Sequence, residues 1–247
     1  MNLDRFFTPH DVPPLTNLGD CLQYWAERKP DGTAFHLSDG ETEERQLTYA
    51  ELLRSSSAIA AELMDRGFSG QRALLLFPPG LEFVEAFFGC ILAGVTAVPA
   101  YPPRRNRNVG RIQAISDDAR AEVAMTVREV HNRVQRVLDE TPSLKQLEWL
   151  AVDDVDRARA SDFRAPQVKS DDLALLQYTS GSTGKPKGVM LSHANIIHNV
   201  SIIVHSFEPT RRGVGLTWLP TYHDMGLVGG VLEPLFYGRP NVLMSPM

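Results

Sequence analysis

Short apolar runs and amphipathic runs take turns along the 247 residues, and this alternation narrows the possible folds more than any other feature. Thr33 to Ser38, Arg72 to Phe77, Val95 to Tyr101, Glu122 to Thr126, Leu147 to Val152, Leu173 to Tyr178 and Val214 to Trp218 read as strands bounded by Gly, Pro or polar residues. Between them lie helical patterns. Asn17 can cap a helix through Lys29 with Leu18, Leu22 and Trp25 in step, ended by Pro30. Thr48 and Glu51 have the spacing of a capping box and open a helix that closes at Gly67. Val84, Phe87, Phe88 and Ile91 form a stripe that reads as a core-facing helix rather than a ligand box, and Gly94 stops it. Val109 to Ala119 and Glu129 to Glu140 are helical, the second with Val130, Val134 and Val137 inward. Such βα repetition predicts an α/β fold: a mainly parallel sheet with helices on both faces and ligands near the carboxyl ends of its strands.

Asp153 to Asp172 is charged, lacks periodicity and contains Pro166, so it reads as a surface connection and a subdomain boundary. This divides the chain into residues 1–170 and 171–247. A hydrophobic fraction of 43% with 22% charged residues is ordinary globular composition. The formal charge of -5 argues against a nucleic-acid partner, whose footprint is usually a basic face. The one basic run, Arg104, Arg105, Arg107 and Arg111, reads as a solvated loop after Pro102-Pro103. Cys21 and Cys90 are too few and too distant for a disulfide framework, which fits a reducing cytoplasm. The acidic, proline-containing N-terminus is not a secretory signal. Ala86 to Pro103, interrupted by glycines and prolines, reads as a buried helix and strand rather than a membrane span.

The chemistry concentrates after the strand Leu173 to Tyr178. There the chain reads TSGSTGKPKG, in which Gly181, Gly184 and Gly188 allow close backbone approach to an anion. Thr179, Ser180, Ser182 and Thr183 add hydroxyls, and Lys185 and Lys187 supply countercharge. From these residues alone the loop is either a phosphate cradle or an ordinary Gly/Ser/Thr turn between two strands. It is not a Walker A loop: only two residues separate Gly181 from Gly184, and Pro186 rather than Ser or Thr follows Lys185. Beyond it Ser192 caps a helix striped by Ile196, Ile197, Val200, Ile203, Val204 and Phe207. His193, His198 and His205 lack the spacing or cysteine partners of a metal site and read as solvated or hydrogen-bonded. No metal site is expected. His223 and Asp224 follow the strand Val214 to Trp218, in a loop with room for a ligand or, equally, for a histidine that caps the next helix.

The run YTSGSTGKPKGVMLSH resembles the phosphate-binding signature of the adenylate-forming enzymes, which include acyl-CoA synthetases, luciferases, nonribosomal-peptide adenylation domains and fatty acyl-AMP ligases. WLPTYHDMGLVGGVLEPL, from Trp218 to Leu235, and AVPAYPP, from Ala97 to Pro103, are most similar to the fatty acyl-AMP ligase branch. The resemblance implies attack of a fatty-acid carboxylate on the α-phosphate of ATP with Mg²⁺, giving acyl adenylate and pyrophosphate. The acyl group then passes to an acyl carrier protein or a polyketide synthase acceptor.

By that resemblance Thr179, Ser180, Gly181, Ser182, Thr183, Gly184 and Lys185 hold phosphates, and Lys187 and His223 serve the chemistry. Asp224, Met225, Gly226, Leu227, Gly229 and Gly230 border the acyl group. It further implies that residues 1–247 cover an incomplete N-terminal domain, less than half of a family member, without the small C-terminal domain. An acyl-CoA synthetase, or a non-catalytic fragment with weak nucleotide binding, are the alternatives. In such a fragment the strand Asn241 to Met244 is expected to leave a sheet edge unpaired.

Overall fold

The computed structural model describes residues 15–38, 44–102, 109–138, 141–179, 186–207 and 213–244. The first helix, α1 (Leu18–Arg28), starts where Asn17 accepts hydrogen bonds from the amides of Gly19 and Asp20 while the Asp20 carboxylate reaches back to the Asn17 amide. Strands β1 (Thr33–Ser38) and β2 (Glu44–Thr48) follow. Thr48 and Glu51 close the expected capping box on α2 (Tyr49–Asp65), with Thr48 N–H donating to the Glu51 carboxylate at 2.9 Å.

The next βα unit is β3 (Arg72–Leu75) and α3 (Leu81–Ala93), which ends where Gly94 takes a left-handed φ of 67°. Then come β4 (Thr96–Pro99), α4 (Val109–Ala119), β5 (Val123–Thr126) and α5 (Arg128–Leu138). Val130 and Val134 of α5 are buried as expected, while the Val137 side chain lies outside the described residues. A short helix that the periodicity did not predict, α6 (Pro142–Gln146), precedes β6 (Glu148–Ala151). With one turn, it is too short for a stripe to show.

The connection after β6 is tied down by charge. Two 3-10 turns, Val152–Asp154 and Arg157–Ser161, cross the surface. Arg157 reaches the buried carboxylate of Glu85 on α3 at 3.0 Å, and Arg159 reaches Glu62 on α2 at 3.1 Å. Next come β7 (Leu173–Thr179), β8 (Lys187–Ser192) and α7 (His193–Phe207). The remainder is β9 (Gly215–Thr217), α8 (Asp224–Leu227), a π turn at Val228–Leu232, α9 (Glu233–Tyr237) and β10 (Asn241–Met244).

Two sheets result, mostly parallel. The larger runs β6-β5-β3-β4-β7-β8, parallel throughout except for the β7/β8 hairpin. Alternate residues of its strands serve two cores: Ala73, Leu75, Val123 and Met125 face one side, and Leu74, Leu76, Val98 and Ala124 face the other. On the second side Ile112, Ile115 and Ala119 of α4 and Leu144 of α6 complete a compact cluster. On the first side one continuous core passes through α1, α2, α3, α7 and α9 to Phe35 of β1 and Leu243 of β10. Phe83, Phe87 and Phe88 lie in its middle, with Phe87 edge-on to Phe88 at 5.4 Å.

The smaller sheet runs β2-β1-β10-β9. It corrects the place of one expected edge. The strand Asn241–Met244 is interior, paired with β1 on one side and β9 on the other, because β1 returns from the start of the chain to cover it, and among the described residues the unpaired edge falls at β9, where Leu216 is exposed. A second correction concerns α7: Ile196, Val200 and Val204 are buried, but Phe207 at its end is 80% exposed, one turn beyond the packed part of the stripe.

Among the three histidines near α7, His193 is buried and Nδ1 accepts the Leu18 amide at 3.3 Å. Burial pushes its pKa down to about 4, against the opposing pull of Asp172 and Asp20. Among the described residues no helix is long and apolar enough to cross a membrane, and both cysteines are free and buried.

Candidate functional site

Strands β4 and β7 are neighbours, so their carboxyl ends emerge side by side. The segments that leave them, Pro99–Tyr101 and Gln177–Thr179, form two walls of an open cleft of about 590 Å³. Arg111 and Ile115 of α4 and Tyr222, His223 and Asp224 complete the lining. The rings of Tyr101 and Tyr222 lie 3.8 Å apart between centroids, which joins two stretches far apart in sequence. This is the strand-end position that a doubly covered parallel sheet reserves for ligands.

Consecutive residues at the end of β7 tie it to different elements, since strand side chains alternate faces. Gln177 Nε2 donates to the Tyr222 carbonyl at 3.0 Å. Tyr178 donates its hydroxyl to Asp118 of α4 at 2.5 Å, and burial first, then Asp118, raises its pKa above the ordinary phenol value. A Cβ on Gly188 would lie 2.9 Å from the Tyr178 ring, so glycine there lets the phenol lie across the hairpin and reach Asp118.

Thr179 ends β7 opposite Lys187 at the start of β8, and both are exposed. Thr179 lines the cleft, with Lys187 across the hairpin from it. Ser180, Gly181, Ser182, Thr183, Gly184 and Lys185 lie outside the described residues. His223 precedes α8, gives it no side-chain cap, and stands 66% exposed with Nδ1 2.5 Å from the Asp224 carboxylate. Asp224 Oδ1 also accepts the Met225 amide at 2.8 Å.

The residues after Asp224 separate into two groups. Leu227 is fully buried in the main core. Gly226 packs directly on the Pro220 carbonyl, where a Cβ would collide with backbone, and Gly230 faces Thr217 of β9 at a 2.7 Å Cβ distance. Met225 is 65% exposed, and Gly229 has open space around it. Thr179, His223 and Asp224 are therefore brought together at the cleft. Gly226, Leu227 and Gly230 hold the turn behind it.

Tyr101, Arg111, Ile115, Gln177, Tyr178 and Tyr222 line the cleft but carried no role in the sequence analysis. Their signal was positional. Only the pairing of β4 with β7 reveals that their strand ends share one opening. Among the described residues no group of three or more His, Cys, Asp and Glu side chains could hold a metal.

Residues 22–247 match the family described as AMP-binding enzyme. The chain is 42% identical over 240 residues to the medium-chain-fatty-acid–[acyl-carrier-protein] ligase JamA of Moorena producens, covering 95% of this chain and 40% of that protein. It is 34% identical over 230 residues to the long-chain-fatty-acid–AMP ligase FadD32 of Mycolicibacterium smegmatis, covering 91% and 36%. Among solved structures it resembles a fatty acyl-adenylate ligase from L. pneumophila in complex with acyl adenylate and pyrophosphate. The TM-score is 0.84 at 35% identity, covering 93% of this chain and 40% of that one. The chain thus spans about 40% of the length of these relatives. The match over residues 22–247 places this chain in the AMP-binding enzyme family.

Proposed function

We propose that this chain is the N-terminal part of a fatty acyl-AMP ligase, which activates a fatty acid with ATP to acyl adenylate and pyrophosphate for transfer to an acyl carrier protein. The observation that carries the reading is the convergence of Tyr101, Thr179, His223 and Asp224 on one cleft at the carboxyl ends of β4 and β7. The acyl-carrier-protein acceptor is supported by the similarity to JamA, a medium-chain-fatty-acid–[acyl-carrier-protein] ligase, and a polyketide synthase as its host is our extension of that. Residues 1–170 make up the first subdomain and residues 171–247 begin the part that meets ATP and acyl group. The free, buried cysteines fit a cytoplasmic setting.

The reaction joins two anions, so the protein's task is positioning and charge neutralisation rather than supplying a nucleophile. The residues present fit a triphosphate: the Thr179 hydroxyl and the Lys187 ammonium flank the mouth of the hairpin, and both are open to solvent. Mg²⁺ supplies further neutralisation of phosphate charge when bound. Among the described cleft residues Asp224 is the carboxylate that would stand beside such an ion. His223, held against Asp224, presents its ring at the cleft where acyl carboxylate and α-phosphate meet. Behind it Gly226 and Gly230 let the turn sit flush on Pro220 and Thr217.

The test is pyrophosphate exchange with a panel of acids. Exchange stimulated by medium or long fatty acids is expected, whereas stimulation only by amino acids overturns the substrate class, and acyl-CoA as the main product favours an acyl-CoA synthetase. Lys187→Ala should weaken productive ATP use by about 1.5–3 kcal/mol, the worth of one charge-assisted phosphate contact, with the fold intact. Unchanged rates at subsaturating ATP would remove Lys187 from the site.

A further inference from the structure

We infer that Gln177 is the positioning residue for the Tyr222–Asp224 wall of the cleft, holding His223 opposite Thr179 through the hydrogen bond from its amide to the Tyr222 carbonyl. The inference rests on the proposed adenylation only for its catalytic consequence; the geometry stands without it. Gln177 is 7% exposed, sits two residues before Thr179 on the same strand, and lines the cleft. Its Nε2 lies 3.0 Å from the Tyr222 carbonyl oxygen, 45 residues away in sequence. The amide orientation is determined by that partner, because turning it over would set oxygen against oxygen.

The same orientation leaves Oε1 buried with no partner among the described residues. A buried acceptor without a donor is unfavourable, and an apolar side chain of the same shape would fill the space without that cost. Packing alone therefore does not account for an amide at this place. What the amide supplies is a fixed distance between the end of β7 and the turn that carries His223. The turn is also held by the Tyr101–Tyr222 ring contact, by the His223 amide donating to the Pro220 carbonyl and by Gly226 packed on that carbonyl, but the Gln177 hydrogen bond is the one of these that ties it to β7.

Two near-isosteric substitutions test this. Gln177→Met removes the donor. Gln177→Glu makes it conditional: burial raises the new carboxyl's pKa, so at low pH the protonated acid donates to the Tyr222 carbonyl, and at high pH the carboxylate repels it. Hydrogen exchange is measured on the chain at each pH against the unsubstituted protein. In Gln177→Met the amides of residues 221–224 should exchange roughly tenfold faster at every pH, with α2 and α3 unchanged and the melting temperature level or higher. Gln177→Glu should match the unsubstituted chain near about pH 5 and match Gln177→Met near about pH 8.

Equal exchange in all three proteins overturns the inference, as does acceleration spread evenly over the sheet, or a Gln177→Glu protein without pH dependence. Acyl-adenylate formation in the same preparations separates this inference from the function. If the unsubstituted protein forms adenylate, kcat of Gln177→Glu should fall with rising pH in step with the exchange, and a kcat that ignores the loosened turn overturns the positioning role. If it forms none, the chain on its own is not sufficient for adenylation, and the exchange result still decides the role of Gln177.

Discussion

The two sheets are built by opposite routes. In the six-stranded sheet β3, β4, β5 and β6 follow one another through intervening helices, and their pairings with each other span one or two βα units, while β4 alone reaches further, to β7. In the four-stranded sheet β1, from the first fifty residues, pairs with β10 near Met244, and β2 and β9 flank that pair. The first kind of sheet is assembled from local instructions and the second from a long-range closure. Yet one continuous core, running through α1, α2 and α3, is shared by both. The difference teaches that local legibility and energetic independence are separate matters: the sheet that is easy to read is not a separate stability unit.

The largest effect should come from breaking what the two sheets share. Phe87 is fully buried between them, and Phe87→Ala should cost about 3–5 kcal/mol while leaving a single unfolding transition in urea. Two resolved transitions would mean that the sheets unfold separately. Next is the long-range closure itself. Gly238, at φ 75°, packs its backbone against the Trp25 ring where α9 turns into β10. Gly238→Ala combines left-handed strain with overpacking, about 2–4 kcal/mol together. Hydrogen exchange should rise first in β1, β9 and β10, and a uniform rise across both sheets would contradict the distinction.

His193 offers a pH-dependent version of the same break. It joins α7 to α1 as a neutral acceptor, and its folded pKa of about 4 is below the ordinary value near 6.5. Its contribution is therefore complete above about pH 6.5 and is lost as pH falls through that window, amounting to about 3 kcal/mol at most by pH 4. Urea midpoints of the wild type and His193→Gln should converge as the pH is lowered across this range; parallel curves would remove His193 from the acid response. The smallest effect belongs to a purely local device. Thr48→Ala removes the Thr48 half of the capping box on α2 and should cost about 1 kcal/mol, confined to the first turn of that helix by exchange.

Much of the fold was legible because period and punctuation are local. The Thr48–Glu51 box, the stop at Gly94 and the helix Val109–Ala119 all depend on residues within a few positions of one another. The strand β7 that leads into the Gly/Ser/Thr-rich stretch was legible for the same reason. Phe207 was misread because a helical stripe says which residues could be buried, not how far the neighbouring element extends. The short α6 carried no repeat to detect. In the cleft, Thr179, His223 and Asp224 could be proposed from their motifs, but Gln177 and Tyr222 could not, since neither sits in a pattern whose chemistry is evident alone.

The sequence by itself determined the α/β class, most of the strand and helix order, the Gly/Ser/Thr/Lys-rich stretch after β7 and the membership of the AMP-binding enzyme family. Those follow from side-chain periodicity, turn chemistry and a long motif, all read within a window of a few residues. Only the tertiary structure decided that β10 is interior, that β4 and β7 lie side by side, and that Gln177 reaches the Tyr222 carbonyl. Strand neighbours and contacts between distant turns depend on the packing of the whole chain, because closing a long loop is repaid by burial summed over many residues rather than by any one short stretch.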